Sequence, residues 1–287
     1  MDERVLRLAV PNKGRLRDST ARLLREAGLI FEQTERALSV RVRNVALDLL
    51  FVRTEDVVEL VADETADLGI TGLDVTYEAD RSLEVLLPLG YGRCELTLAA
   101  PADHDYEKPE DFAGLTIATS HPTLTKAFFA DRGIEVTVVQ LRGSVEVAPK
   151  LGVADAIVDL VSTGSTLMVN GLKPVMPILS SEAILLANKP AMELRAKEIS
   201  RVATALNSVV AGRSKRYLLL NAPKSFLDSI IAIIPGLESP TVIPLAEEGV
   251  VAVHSVVSAD DVWGLLPDLK EAGGRDILVL PIGQLVP

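Results

Sequence analysis

The chain has 287 residues, a length for which two or three domains are the ordinary expectation. Hydrophobic residues make up 48% and charged ones 24%, enough for real globular cores. The 4% aromatic content leaves those cores to Leu, Val, Ala and Ile. A net charge of −11 argues against nucleic acid or an anionic membrane as partner, since both call for a basic surface, yet leaves room for small phosphorylated ligands held by a local cluster of donors.

Along the chain, short apolar runs alternate with amphipathic stretches, the pattern of an α/β protein. RLAVP reads as a strand, and RDSTARLLREAGL as a helix closed by Gly28. LDLLFVR is a second strand, TEDVVELVADETA a helix N-capped by Thr54, and DLGITG a strand running into a turn. RCELTLAAP opens a new stretch. LTIATS, the helix HPTLTKAFFADRG, the strand EVTVVQL, a helix over SVEVAPKLGVA and the strand AIVDLVS follow. Residues 193–211 form the longest amphipathic helical stretch.

Beyond Arg213 the order becomes strand KRYLLLNAP, helix KSFLDSIIAIIPG, strands PTVIPLA and VVAVHSVVS, helix ADDVWGLLPDLKEAGG and strand DILVLPI. That βαββαβ order is the ferredoxin-like module, read as a separate small domain. The single cysteine, Cys94, excludes an internal disulfide and is read as a core or hinge residue. The start, MDERVLRLAVPNKG, lacks a signal-peptide core, and no run of about 18 apolar residues occurs, so the expected location is the cytoplasm.

The densest chemistry lies in DAIVDLVSTGSTL, residues 155–167. A strand ending in Ser162-Thr163-Gly164-Ser165-Thr166 offers backbone N–H groups and hydroxyls over one turn. Gly164 lets a ligand approach the backbone, and a helix starting near Thr166 would add its N-terminal dipole. Such clusters are more often plain turns. Asp159 shifts the balance, because a carboxylate inside an apolar run needs a partner, and sugar hydroxyls or a phosphate-bound Mg²⁺ would supply one. At the other sheet ends, PNKGRL places Lys13 and Arg15 around Gly14 at a strand-to-helix turn. GITGLD brings Gly72 and Asp74 to a similar edge, and Arg53 ends LFVR. The bland readings are a solvated turn for Lys13 and Arg15, and an Arg53 salt bridge to Glu55 or Asp56. His104, His121 and His254 show no metal-ligand spacing, and His121 is read as a capping or surface residue. No nucleophile motif is present.

Together AVPNKGRL, DLGITGLD, IATSHPTLT and GSVEVAPKLGVADAIVDLVSTGSTLMVNGL resemble the ATP phosphoribosyltransferase family of histidine biosynthesis. The family's signature is matched by Glu146, Gly152, Asp159 and Thr163-Gly164-Ser165-Thr166-Leu167. NAP and IPGLESPTVIPLA resemble the C-terminal extension of the family's long form.

The resemblance implies a two-lobed catalytic core of the type II periplasmic-binding-protein kind, plus a ferredoxin-like (ACT-like) regulatory domain. Domain I would span 1–92 with 183–211, domain II 93–182, and the regulatory domain 212–287. It implies condensation of ATP with 5-phosphoribosyl 1-pyrophosphate, Mg²⁺ riding on the pyrophosphate, histidine as allosteric inhibitor, AMP as a second candidate inhibitor, and dimers building hexamers. Ser162 to Thr166 would hold the 5-phosphate. Asp159, with Asp155 or Glu146, would engage the ribose hydroxyls. Lys13, Gly14, Arg15, Arg53, Gly72 and Asp74 would face ATP or pyrophosphate. Asn221, Leu237, Ser239 and Thr241 match the region that binds histidine. No residue is assigned as general base. His121 departs from the Tyr that relatives commonly carry before the Pro. The rival class is a two-lobed solute-binding protein without chemistry, which shares the fold.

Overall fold

The computed structural model describes residues 5–32, 37–161, 164–234 and 239–286. The chain divides into two compact units, residues 1–22 with 29–203, and residues 23–28 with 204–287.

The larger unit begins with β1 (Leu6–Pro11) and α1 (Arg17–Glu26), then β2 (Ser39–Arg41), β3 (Leu47–Val52), α2 (Thr54–Ala62), β4 (Leu68–Gly72), α3 (Leu73–Glu78) and β5 (Glu84–Pro88). The chain then crosses into a second sheet with β6 (Cys94–Pro101), β7 (Thr116–Thr119), α4 (Pro122–Ala130), β8 (Thr137–Gln140), β9 (Ala156–Val161), α5 (Ser165–Val169) and β10 (Leu172–Ser181). It returns to the first sheet through β11 (Ala183–Ala187), followed by α6 (Lys189–Leu194) and α7 (Ala196–Arg213).

The first sheet has the order β2-β3-β1-β4-β11-β5, with β3, β1 and β4 parallel and β11 antiparallel to β4. The second has the order β10-β6-β9-β7-β8, with β8, β7 and β9 parallel and β6 antiparallel to β9. Both follow one plan. The second, first and third parallel strands lie side by side, then comes the antiparallel strand arriving from the other lobe, then an edge. That repeated order is the two-lobed type II periplasmic-binding-protein plan. The central strands are apolar on both faces because helices cover both sides. Leu8, Ala9, Leu47, Leu49, Leu68 and Ile70 are buried in the first lobe, and Leu96, Leu98, Ile117, Ala156 and Val158 in the second.

The C-terminal residues form β12 (Lys215–Pro223), α8 (Leu227–Ile233), β13 (Thr241–Pro244), β14 (Val250–Ser258), α9 (Val262–Glu271) and β15 (Arg275–Pro281). Their antiparallel sheet has the order β13-β14-β12-β15, the ferredoxin-like arrangement. Leu218, Leu220, Val251 and Val253 on one face meet Ile230 and Leu269 of the two helices. Among the described residues, no helix is long and apolar enough to cross a membrane.

Two local expectations are corrected. Residues 144–154 form a 3₁₀ turn at Val145–Val147 rather than a helix. Ser144 sits at φ +51, Pro149 has no N–H to extend a helix, and Gly152 at φ +67 turns the chain away. The cap position of α2 is Arg53, whose extended backbone (φ −67, ψ 153) starts the helix one residue earlier than expected. Thr54 is already its first residue, and its carbonyl accepts the Thr71 hydroxyl at 2.9 Å.

Candidate active site between the two lobes

The carboxyl ends of the parallel strands are where α/β sheets bind ligands. In the larger unit those ends deliver Asn12 to Arg15 from β1, Arg53 from β3 and Gly72 to Asp74 from β4. The second lobe delivers Ser120 and His121 from β7 and the Gly164 turn from β9. An open cavity of about 760 Å³ lies beside these ends, lined mainly by β6 and β10 with Val161 and Gly164, and by Leu73 from the first lobe; Asp74, His121 and Asp159 stand outside its lining.

On the first lobe, Gly14 takes φ +78, and the Arg15 guanidinium donates to the Gly92 carbonyl at 2.5 Å. Its other nitrogen lies 3.6 Å from Asp74 Oδ1. Asp74 is 1% exposed, and its Oδ1 accepts the Ser181 hydroxyl at 2.5 Å. The Ser181 oxygen in turn accepts the Asp74 N–H at 3.0 Å. Asp74 Oδ2 has no well-formed hydrogen bond and meets His121 Nε2 of the second lobe at 3.4 Å. Burial pushes the Asp74 carboxyl up. The His121 and Ser181 side chains and the Arg15 charge outweigh it and hold the group below its ordinary value. A Cβ at Gly72 would collide with Asp74 Oδ1 where it now stands, so a side chain there would displace the carboxylate. Lys13 and Arg53 are exposed at the rim, and among the described residues Arg53 makes no ion pair with Glu55 or Asp56.

The second lobe supplies a different carboxylate. Asp159 stands opposite Thr97 of β6, and its Oδ1 accepts the Leu160 N–H at 2.8 Å. Burial and the charge of Glu146 push its carboxyl up, against the opposing pull of Leu160 N–H and His121. The structure therefore brings Glu146, on its 3₁₀ turn, into electrostatic reach of Asp159. Gly164 adopts φ +72 and starts α5, with Ser165 and Thr166 exposed beside it. This helix is five residues long, too short for much of the expected dipole. Ser162 and Thr163 lie outside the described residues.

Asp155 is not brought to this turn. It precedes β9 at the opposite end, roughly 20 Å of strand away. Its Oδ2 accepts the Thr116 N–H at 2.8 Å, and its own N–H donates to the Thr116 carbonyl. Asp155 tethers two strands, and its assignment to the ribose is corrected on that ground.

His121 is also corrected. It is 7% exposed, not a surface residue, and its side chain caps nothing. Its Nδ1 pairs with the Ser120 hydroxyl at 2.9 Å, which leaves Nε2 for Asp74. Sequence reading missed Ser181 and Thr97, which carry no motif. The Pro after His121 did mark a helix start at a sheet edge, the signal that could have drawn attention to it.

In the C-terminal sheet, Thr241, Asn221, His254 and Tyr217 share one face by register. The Asn221 amide donates to Asp276 Oδ2 at 3.3 Å, and Tyr217 Oη pairs with His254 Nδ1 at 2.6 Å. Ser239 is exposed, and Leu237 lies outside the described residues.

Comparison with known proteins fixes the family. Residues 53–208 match the HisG model, described as ATP phosphoribosyltransferase, and residues 212–284 match the HisG C-terminal domain model. This chain belongs to the ATP phosphoribosyltransferase family. It is 42% identical to an ATP phosphoribosyltransferase of Methanocella arvoryzae, over 98% of this chain and 100% of that one. It is 43% identical to one from Gemmatimonas aurantiaca, over 99% and 100%. Among solved structures, an ATP phosphoribosyl transferase (HisG:HisZ) complex from Thermotoga maritima superposes with a TM-score of 0.64 at 28% identity, over 72% of this chain and 98% of that one. ATP phosphoribosyltransferases are pentosyltransferases of histidine biosynthesis, and the C-terminal match marks the family's long form.

Proposed function

We propose that the cleft joins ATP to 5-phosphoribosyl 1-pyrophosphate, giving N1-(5-phosphoribosyl)-ATP and pyrophosphate. N1 of adenine donates its lone pair to C1 of the ribose as the C1–O bond to pyrophosphate breaks, so no enzyme nucleophile is needed. The observation that carries this reading is Asp159, a half-buried carboxylate with a raised pKa on the strand that ends at the Gly164 turn. Such a group is costly until hydroxyls or a cation satisfy it.

In this reading Ser162 to Thr166 hold the 5-phosphate, and Asp159 with Glu146 takes the ribose hydroxyls. Lys13, Gly14 and Arg53 meet the pyrophosphate or the ATP phosphates, with Arg15 beside them held by Asp74 and Gly92. Mg²⁺ would arrive on the pyrophosphate as part of the substrate. Catalysis is alignment plus stabilisation of the leaving group's charge.

We further assign domain I to 1–92 with 183–211, domain II to 93–182 and regulation to 212–287. Histidine would bind through Asn221, Leu237, Ser239 and Thr241 in a homo-oligomer built from dimers, with AMP as a second inhibitor. The test mixes ATP, the pyrophosphorylated ribose and Mg²⁺ with the full chain and follows adduct absorbance with and without histidine. Turnover inhibited by histidine, and inhibition lost on truncation near residue 211, is the expected result. Absence of turnover under every condition would favour a binding protein instead.

A further inference from the structure

The helix α4 follows β7 in the second lobe, and its first turn is not capped from within its own lobe. The cap residue is His121, whose side chain makes no capping bond. Pro122 brings no N–H, and the nearby hydroxyls are engaged elsewhere. The Ser120 hydroxyl pairs with the His121 ring, and the Thr119 oxygen accepts the His121 N–H at 2.9 Å. The free N–H groups of Thr123 and Leu124 are met by Glu78, from the first lobe. Its Oε1 accepts Thr123 N–H at 2.9 Å and its Oε2 accepts Leu124 N–H at 3.0 Å.

We propose that Glu78 is a positioning residue that clasps the two lobes by capping a helix of the opposite lobe. Its carboxylate satisfies two orphaned donors and places negative charge at a helix N-terminus, both favourable. The same short helix, α3, reaches α4 twice. Asp74 at its start faces the His121 ring, and Glu78 at its end holds the next two N–H groups. Lobe opening breaks both contacts together. The Glu78 bonds lie near the surface, so water can replace them on opening. The clasp therefore biases the lobes towards closure without locking them. This inference rests on the reading that substrates bind in the cleft only for its kinetic consequence, not for the clasp itself.

The test uses the full chain with spin labels on Glu55→Cys and Lys126→Cys, exposed positions on opposite lobes, and measures their distance distribution without substrate. Glu78→Ala should shift the distribution to longer spacing, raising the open-to-closed ratio about tenfold, and Glu78→Gln, which keeps one acceptor, should fall between. Saturating ATP and pyrophosphorylated ribose should close the Glu78→Ala protein again, with both KM values raised about tenfold and kcat nearly unchanged. If Glu78→Ala fails to fold, Glu78→Gln carries the measurement. An unchanged distance distribution, with or without a lower Tm, overturns the clasp. A shifted distribution in a protein without turnover would keep the clasp and overturn the substrate reading.

Discussion

The two lobes are built on one strand order, yet each buries a carboxylate of opposite character. Asp74, at the end of β4, is surrounded by Ser181, His121 and Arg15, and its carboxyl is held below the ordinary value. Asp159, near the end of β9, is desolvated, with one backbone N–H and the His121 ring pulling against burial and the charge of Glu146, and its carboxyl is pushed up. The topology places an acid near the carboxyl end of a parallel strand in each lobe, and the neighbours set its state. Asp74 is already satisfied by protein groups. Asp159 is desolvated and under-partnered, which is what the proposed ligand role rests on.

The sharpest way to break that contrast is Asp159→Asn. If Asp159 serves the ligand, the amide should cut kcat about 10²–10³-fold, the scale for losing a group aimed at the reacting centre. The fold should hold, because at neutral pH the substitution removes a carboxylate that is unfavourable to bury. Steady-state kinetics beside urea unfolding checks both halves. A near-normal rate with a weakened fold would make Asp159 a structural acid like its counterpart.

Asp74→Ala probes the other side. Removing it leaves the Ser181 hydroxyl and the His121 ring, both buried, without their shared partner, at about 1–3 kcal/mol for each polar group left unsatisfied. The expected result is a large drop in unfolding free energy. A smaller loss of the same origin is expected from Gly72→Ala, whose Cβ collides with the Asp74 carboxylate, at about 1–3 kcal/mol. If Gly72→Ala is neutral while Asp74→Ala is costly, the carboxylate can move away from Gly72 without losing its partners.

Much of this is legible in the order of the amino acids alone. Apolar runs separated by amphipathic stretches gave the α/β class, and the βαββαβ order beyond Arg213 gave the C-terminal module. Asp159 stood out because a charged residue inside Ile-Val-x-Leu-Val demands an explanation. Asp155, four residues earlier, is tied to the ribose only by the family resemblance, and its place before β9 with its carboxylate on the Thr116 N–H separates it from Asp159. Period alone also made a helix of residues 144–154, where Pro149 and the left-handed Ser144 and Gly152 prevail. The clasp was invisible for a different reason. Glu78 and Thr123 are 45 residues apart, and nothing local marks a glutamate that caps a helix in another lobe. The partner of His121 is hidden on the same ground, since the Asp74 that faces its ring at 3.4 Å comes from the other lobe.

The smallest effect is a matter of sign. For Asp74 the folded-state pKa lies below the reference value of 3.8, so its stabilising contribution is present above that value and is lost as pH falls through the lowered pKa. For Asp159 the folded-state pKa lies above 3.8, so the folded state binds the proton more tightly, and stability declines as pH rises from 3.8 through the raised pKa. Urea unfolding of the parent chain and of Asp159→Asn at closely spaced pH values isolates the second slope, each pKa unit being about 1.4 kcal/mol. The difference in stability between them should widen in favour of Asp159→Asn with rising pH across that window and level off above it. A difference that narrows instead would mean that the Asp159 carboxylate is stabilised in the fold as Asp74 is, and the two lobes would then hold their acids in the same way.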